Sequence, residues 1–162
     1  MNKETKIQEQ SVFDIANYFI ELSQKNMIDE GVPEGITHLK LQKILYFSQA
    51  AFLALYDKKL FNDPIEAWKF GPVIRAVYEK YKEYGNQPLE IKDEIKGVNV
   101  ELKEFLDGIW ELFGKYSAAE LIDISHRHTP WKEAYEKGEN TEIMPEVLKD
   151  YYKGIFQFQE NG

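Results

Sequence analysis

The apolar positions of this chain recur at helical rather than strand spacing over most of its length. Val12, Ile15, Ala16, Phe19 and Leu22 form one stripe behind Ser11, a residue type that caps helices, and Asp14 in the first turn suits the helix dipole. The stripe fades before Gly31, Pro33 and Gly35, which mark a loop. Thr37 is positioned to cap a second helix, predicted from Leu39 to about Tyr56. Leu41, Ile44, Leu45, Ser48, Phe52 and Leu55 make its main face. Phe47, Ala50, Ala51 and Ala54 extend that face around the cylinder, leaving Lys40, Gln42, Lys43 and Gln49 as the polar remainder. A helix this apolar on most sides belongs at the centre of a fold.

The rhythm then breaks. Asn62-Asp63-Pro64 is a turn signal between Leu60-Phe61 and Ile65-Glu66-Ala67-Trp68, two short runs with the makings of a small hairpin. Gly71-Pro72 reads as a helix start, with Pro at the first helical position, Val73, Val77, Tyr81 and Tyr84 on the buried side, and Gly85 as the stop. Asn86 to Asn99 reads as an irregular charged connection with weak alternation at Leu89, Ile91 and Ile95. Leu102, Phe105, Leu106, Ile109, Leu112, Phe113 and Tyr116 then predict a strongly amphipathic helix. Ser117-Ala118-Ala119-Glu120 is a capping box opening a helix to about His126. Thr129-Pro130 opens a short helix carrying Trp131 and Tyr135, and Pro145 opens the last, with Val147, Leu148, Tyr151 and Tyr152. The expected fold is all-α: a single compact domain of six or seven helices around a central apolar helix, with room for one small β-hairpin. Its expected divisions are a polar segment at 1–10, the helical domain at 11–155 and a tail at 156–162.

Composition narrows the function. The 162 residues are 43% apolar and 14% aromatic, enough to build a core and to exclude disorder along the whole chain. Twenty basic against 28 acidic residues leave a net charge of −8, which disfavours phosphate-driven binding of nucleic acid. The absence of Cys excludes disulfides, thiolate metal sites and a Cys nucleophile. Met1 to Gln10 has no apolar signal region and no apolar run reaches membrane-spanning length, so a soluble cytoplasmic protein without a membrane partner is expected.

Two segments invite a chemical reading. Asp123, Ser125, His126 and His128 hold the only concentration of catalytic residue types. A hydrolase or metal site would use Asp123 to orient His126 three residues on, with His128 as a further ligand or base. His128 lies two positions from His126, on a different side of a helix, and no second ligand cluster accompanies them. The simpler reading is that these imidazoles close a helix C-terminus, where partial positive charge suits the dipole. It is taken here. In Trp68-Lys69-Phe70-Gly71-Pro72, the simpler reading makes Trp68 and Phe70 core anchors at a tight turn, and that is the expectation. The sharper one exposes them with Arg75 as a recognition surface, since Trp and Arg are hot-spot types.

Three blocks carry a resemblance. They are Leu39-Lys40-Leu41-Gln42-Lys43-Ile44-Leu45-Tyr46-Phe47-Ser48-Gln49, then Pro64-Ile65-Glu66-Ala67-Trp68-Lys69-Phe70-Gly71-Pro72-Val73, then Ser117-Ala118-Ala119-Glu120-Leu121 with Ser125-His126 and Thr129-Pro130-Trp131. In this order they resemble the Panacea domain family, which includes phage-associated GepA-like proteins and SocA-like antitoxins. The resemblance implies a mostly helical antitoxin of a bacterial or prophage type II toxin–antitoxin system. It would neutralise a protein toxin, often one acting on translation or RNA, by direct contact and without catalysis or cofactor. Some members carry DNA-binding domains, for which this chain has no room, so no direct nucleic-acid binding is expected; a homo-oligomer stays open. The motif residues Leu41, Lys43, Tyr46, Gln49, Ser125, His126, Pro130 and Trp131 bring no assigned role with them. The hypothesis for toxin contact, set beside the anchor reading, is Trp68, Lys69, Phe70, Gly71, Pro72 and Arg75, around a Gly-Pro turn read as a helix N-terminus. The alternatives are a protease adaptor, which would use a terminal segment as tether, and a small metal-dependent hydrolase built on Asp123, His126 and His128.

Overall fold

Seven α-helices and one three-stranded antiparallel sheet are found among the described residues. The structure is a computed structural model that describes residues 4–29, 31, 35–91 and 98–157. Pro33, Ile95 and the tail from Phe158 onward lie outside them.

Helix α1 spans Val12–Asp29, with the Ser11 hydroxyl accepting the Phe13 N–H at 3.2 Å. Helix α2 spans His38–Tyr56; Thr37 caps it by accepting the Lys40 N–H, and Asp57 ends it in the left-handed region at φ 56°. As its composition demands, α2 is the axis of the fold, with every residue from Leu41 to Ala54 buried. The polar remainder is buried as well: Gln42, Lys43 and Gln49 are all under 5% exposed. Around α2 pack α1, α3 (Arg75–Tyr81), α4 (Val100–Phe113), α5 (Ala118–Arg127) and α7 (Pro145–Tyr152), while α6 (Thr129–Lys137) leans on α5 and the sheet. The capping box at Ser117 forms in both directions, with Glu120 N–H donating to the Ser117 hydroxyl at 3.1 Å and Ser117 N–H to the Glu120 carboxylate at 2.9 Å.

The sheet departs from expectation in three ways. Strand β1 (Ile65–Trp68) pairs with β2 (Gly71–Val73), Trp68 opposite Gly71, rather than with Leu60-Phe61. Leu60 and Phe61 are instead tied to α2 and to Gln10, whose N–H donates to the Leu60 carbonyl at 2.7 Å. Gly71-Pro72 is therefore strand, and α3 begins only at Arg75. Gly71 takes φ +105° to close the two-residue turn over Lys69 and Phe70, a conformation suited to glycine. Pro72 is tolerated because β2 is an edge strand. The third strand, β3 (Thr141–Ile143), lies antiparallel on the other side of β1. Three residues are too few to show a period of two, so nothing in the pattern marks it.

Candidate functional site

The β1–β2 turn is where the structure concentrates the residues singled out in the sequence. Two buried side chains of α2 hold it from below. Gln42 donates to the Ile74 carbonyl at 3.1 Å and accepts the Ile74 N–H at 2.8 Å. Lys43, at 0% exposure, donates from Nζ to the Pro72 carbonyl at 3.2 Å. Lys43 satisfies an edge-strand carbonyl, and Gln42 satisfies the Ile74 N–H just beyond that strand and shares the Ile74 carbonyl with the Tyr78 N–H. A Cβ on Gly71 would lie 2.5 Å from Lys43 Cε and 3.2 Å from the Ser125 hydroxyl, so the close approach as well as the positive φ requires glycine there.

A second grip comes from α5 and α6. Trp131 Nε1 donates to the Trp68 carbonyl at 2.9 Å. The Trp131 ring stacks on His126 at 3.8 Å and on Tyr135 at 4.7 Å, giving a three-ring pile beside the turn. Burial and then the Lys43 ammonium hold the His126 imidazole below its usual value, against an opposing pull from the Lys69 backbone and Asp123. His128 is held low by burial and by Arg127; its Nδ1 lies 2.8 Å from the Tyr152 hydroxyl, which in turn lies 2.9 Å from the Tyr46 hydroxyl. The expectation of partly positive imidazoles at the end of α5 is thus corrected, because burial disfavours the charged form of both. Asp123 does not orient His126 either: it pairs with Arg127 at 3.3 Å on the exposed side of the helix. Among the described residues no group of three or more His, Asp or Glu is placed to hold a metal ion.

On the outer side of the turn, Phe70 is 58% exposed, Lys69 is exposed with its ammonium 5.5 Å from the Phe70 ring, and Trp68 is half-buried. The anchor reading of Phe70 fails, since both turn residues must point outward when the strands on either side face the core. Arg75 is exposed but engaged. It forms a two-pronged contact with Glu66 at 2.8 and 3.2 Å and lies 5.3 Å from the Trp68 ring. Glu66 also accepts from Trp68 Nε1 at 3.0 Å, and Trp68 meets the Tyr78 ring at 4.8 Å. Behind this array is a cavity of about 180 Å³ walled by Leu39, Trp68, Val73 and Tyr78.

Of the expected contact residues, Trp68, Lys69, Phe70 and Arg75 share one surface, whereas Gly71 and Pro72 are buried beneath it. Lys43, Ser125, His126 and Trp131 surround the turn from inside, and buried Pro130 sets Trp131 at the start of α6. Leu41 is core; Tyr46 and Gln49 act elsewhere on α2. Sequence reading missed His38, Leu39, Gln42, Glu66 and Tyr78. For Glu66 a signal existed: it stands two residues before Trp68 on one strand face, opposite Val73 and so close to Arg75.

The family model described as "Antitoxin SocA-like, Panacea domain" matches residues 41–132, a span running from α2 into α6 that encloses the turn and its supports. The antitoxin SocA of Caulobacter vibrioides (strain NA1000 / CB15N) is 31% identical over 140 residues, covering 77% of this chain and 74% of that protein. No solved structure matches the chain.

Proposed function

The chain belongs to the SocA-like Panacea antitoxin family, and from that premise we propose that it neutralises a protein toxin of a type II system by direct contact, without catalysis of its own. The 11–155 region is the binding domain, and the face formed by Trp68, Lys69, Phe70 and Arg75 is the contact surface. One observation carries this reading. An aromatic and basic turn is displayed to solvent while buried side chains from two helices, Gln42 and Lys43 of α2 and Trp131 of α6, fix its backbone. Rigid presentation of an aromatic residue lowers the entropy lost on binding, which is how hot spots gain affinity. The same rigidity would be wasted on a solvent-facing loop without a partner. A toxin that handles RNA carries basic surface, and the acidic remainder of this chain would speed its encounter.

Co-expression with the product of the adjacent reading frame tests the proposal. The wild-type chain should restore growth, the two proteins should co-purify, and Phe70→Ala should lose rescue while keeping the wild-type melting temperature. Rescue at full strength by a stable Phe70→Ala, Lys69→Glu double variant would place the contact surface elsewhere. Loss of the toxin by proteolysis in place of a stable complex would favour the adaptor reading.

A further inference from the structure

The cavity behind the turn has a composition that specifies its occupant, given the contact surface proposed above, on which this inference rests. Its walls are apolar, yet three of the side chains lining it are basic types, His38, Lys43 and Lys69, and no Asp or Glu lines it. In a chain of net charge −8 the cavity's full positive charge is that of the exposed Lys69, because burial disfavours the charged forms of His38 and Lys43. The Lys43 amine is fully buried with a carbonyl as partner and no carboxylate among the described residues, and His38 Nδ1 is buried with no hydrogen-bond partner at all. Buried groups of this kind are normally satisfied by something. At about 180 Å³ the cavity exceeds the roughly 150 Å³ apolar void known to accept a benzene ring, so it admits one leucine or phenylalanine side chain.

We propose that this cavity receives a single leucine- or phenylalanine-sized side chain of the toxin, with an Asp or Glu next to it in the toxin chain lying against His38 and Lys69. The apolar group supplies desolvation and the neighbouring carboxylate supplies selectivity. An apolar residue flanked by basic ones would be rejected by the Lys69 ammonium. Other cavities do not offer this combination. The larger one beside α4, for instance, is lined by Lys40 and Lys115 but also by Asp107, Glu111 and Glu120, so its charges answer one another.

The test uses the intact chain and four capped nine-residue peptides: a central Leu between Asp residues, a central Phe between Asp residues, a central Ser between Asp residues, and a central Leu between Lys residues. Calorimetry should show the first two binding at least tenfold more tightly than the last two, and the His38 ring resonances should move towards the protonated form on binding. Leu39→Trp, which fills the cavity from α2, should abolish binding at an unchanged melting temperature. Lys69→Glu should invert the preference from Asp-flanked to Lys-flanked peptide, and so keeps the question decidable if Leu39→Trp fails to fold. Equal binding of the Ser-centred or Lys-flanked peptide, or no binding of any peptide, overturns the proposal. Decanoate binding as tightly as the best peptide overturns it too, in favour of a small carboxylate ligand. Peptide failure combined with lost rescue in Phe70→Ala would discard the cavity reading and keep the contact surface. Peptide binding combined with full rescue by the turn variants would discard the surface.

Discussion

Gln42 and Gln49 stand seven residues apart on the same face of α2 and make nearly the same contact, with different consequences. Gln49 donates to the Phe61 carbonyl at 2.6 Å and accepts the Leu60 N–H at 2.7 Å. Gln42 makes the corresponding pair with both backbone groups of Ile74. At Gln49 the clasped segment is itself core, since Leu60 and Phe61 are fully buried, and the contact seals the fold. At Gln42 the clasped segment leads back through β2 into a turn that leaves the core, and the contact aims it. One device closes a molecule at one end and displays a surface at the other. A buried amide with both backbone partners satisfied specifies orientation as much as it adds stability.

The comparison breaks first if α2 is not the common base of both clasps. Leu45→Ala and Phe52→Ala, each removing a fully buried side chain from the helix that carries both glutamines, should cost about 2–5 kcal/mol in denaturant unfolding. Wild-type midpoints in both would mean that the helix is peripheral.

The glutamines themselves come next. Gln49→Leu strands the buried Leu60 N–H and Phe61 carbonyl, and Gln42→Leu strands the buried Ile74 N–H while the Ile74 carbonyl keeps the Tyr78 N–H, at about 1–3 kcal/mol per unsatisfied group. Both should therefore unfold earlier. At temperatures where both remain folded, only Gln42→Leu should weaken toxin binding. Equal loss of binding in the two variants would erase the distinction between sealing and display.

Lys43 sharpens the contrast through pH. Burial pushes its ammonium down to about 7, whereas the unfolded chain keeps that proton to about 10.4. Between those values the unfolded state binds more protons, so stability rises with pH; below about 7 the cost of burying the charge is fully present. Lys40, also lowered by burial, adds to the same arm. Tyr18, Tyr46 and Tyr152, raised by burial, act oppositely and only above about 10, where unfolded tyrosines ionise. His38, His126 and His128 are lowered by burial and cost stability only below about 6.5. From pH 7.5 to 8.5 the wild type should gain up to about 1.4 kcal/mol, and Lys43→Met should lose most of that slope. An unchanged slope in the variant would show that the Lys43 amine reaches water.

How much of this was legible follows the same division. The sealed part was readable because burial imposes a period: α2, the Ser117 capping box and the Pro-initiated helices α6 and α7 all lie where spacing and caps put them. The display part was not. Gly71-Pro72 carries a helix-start signature, but Gly71 is committed to φ +105° by the strand turn and Pro72 to a carbonyl contact with Lys43, 29 residues earlier in the chain. In the sequence Lys43 and Gln42 are part of the polar remainder of an apolar helix. Only the arrival of a strand edge beside them makes their burial tolerable. The candidate residues were found by type and family likeness, and their arrangement needed the tertiary fold.

The smallest effect on stability belongs to the outermost charge. Lys69 is exposed and makes no ion pair among those described, so Lys69→Glu should shift stability by no more than about 0.5 kcal/mol. Arg75 is equally exposed and has the same sign, yet it is not equivalent. Its guanidinium lies over Trp68 and binds Glu66, which in turn holds the Trp68 indole N–H. Arg75→Glu would set a second carboxylate against Glu66 and release the tryptophan that the cavity depends on. Reversing both charges at once therefore confuses a lost contact with a lost wall. Taken singly, Lys69→Glu should weaken toxin binding mainly through slower association, with a reduced dependence on salt, as rim charges do. Arg75→Glu should weaken it through faster dissociation and should alter Trp68 fluorescence in the free protein. Stopped-flow association and dissociation rates measured at two salt concentrations separate the two. If both variants change only the association rate, Arg75 is one more rim charge and the Glu66–Trp68–Arg75 cluster has no part in shaping the surface.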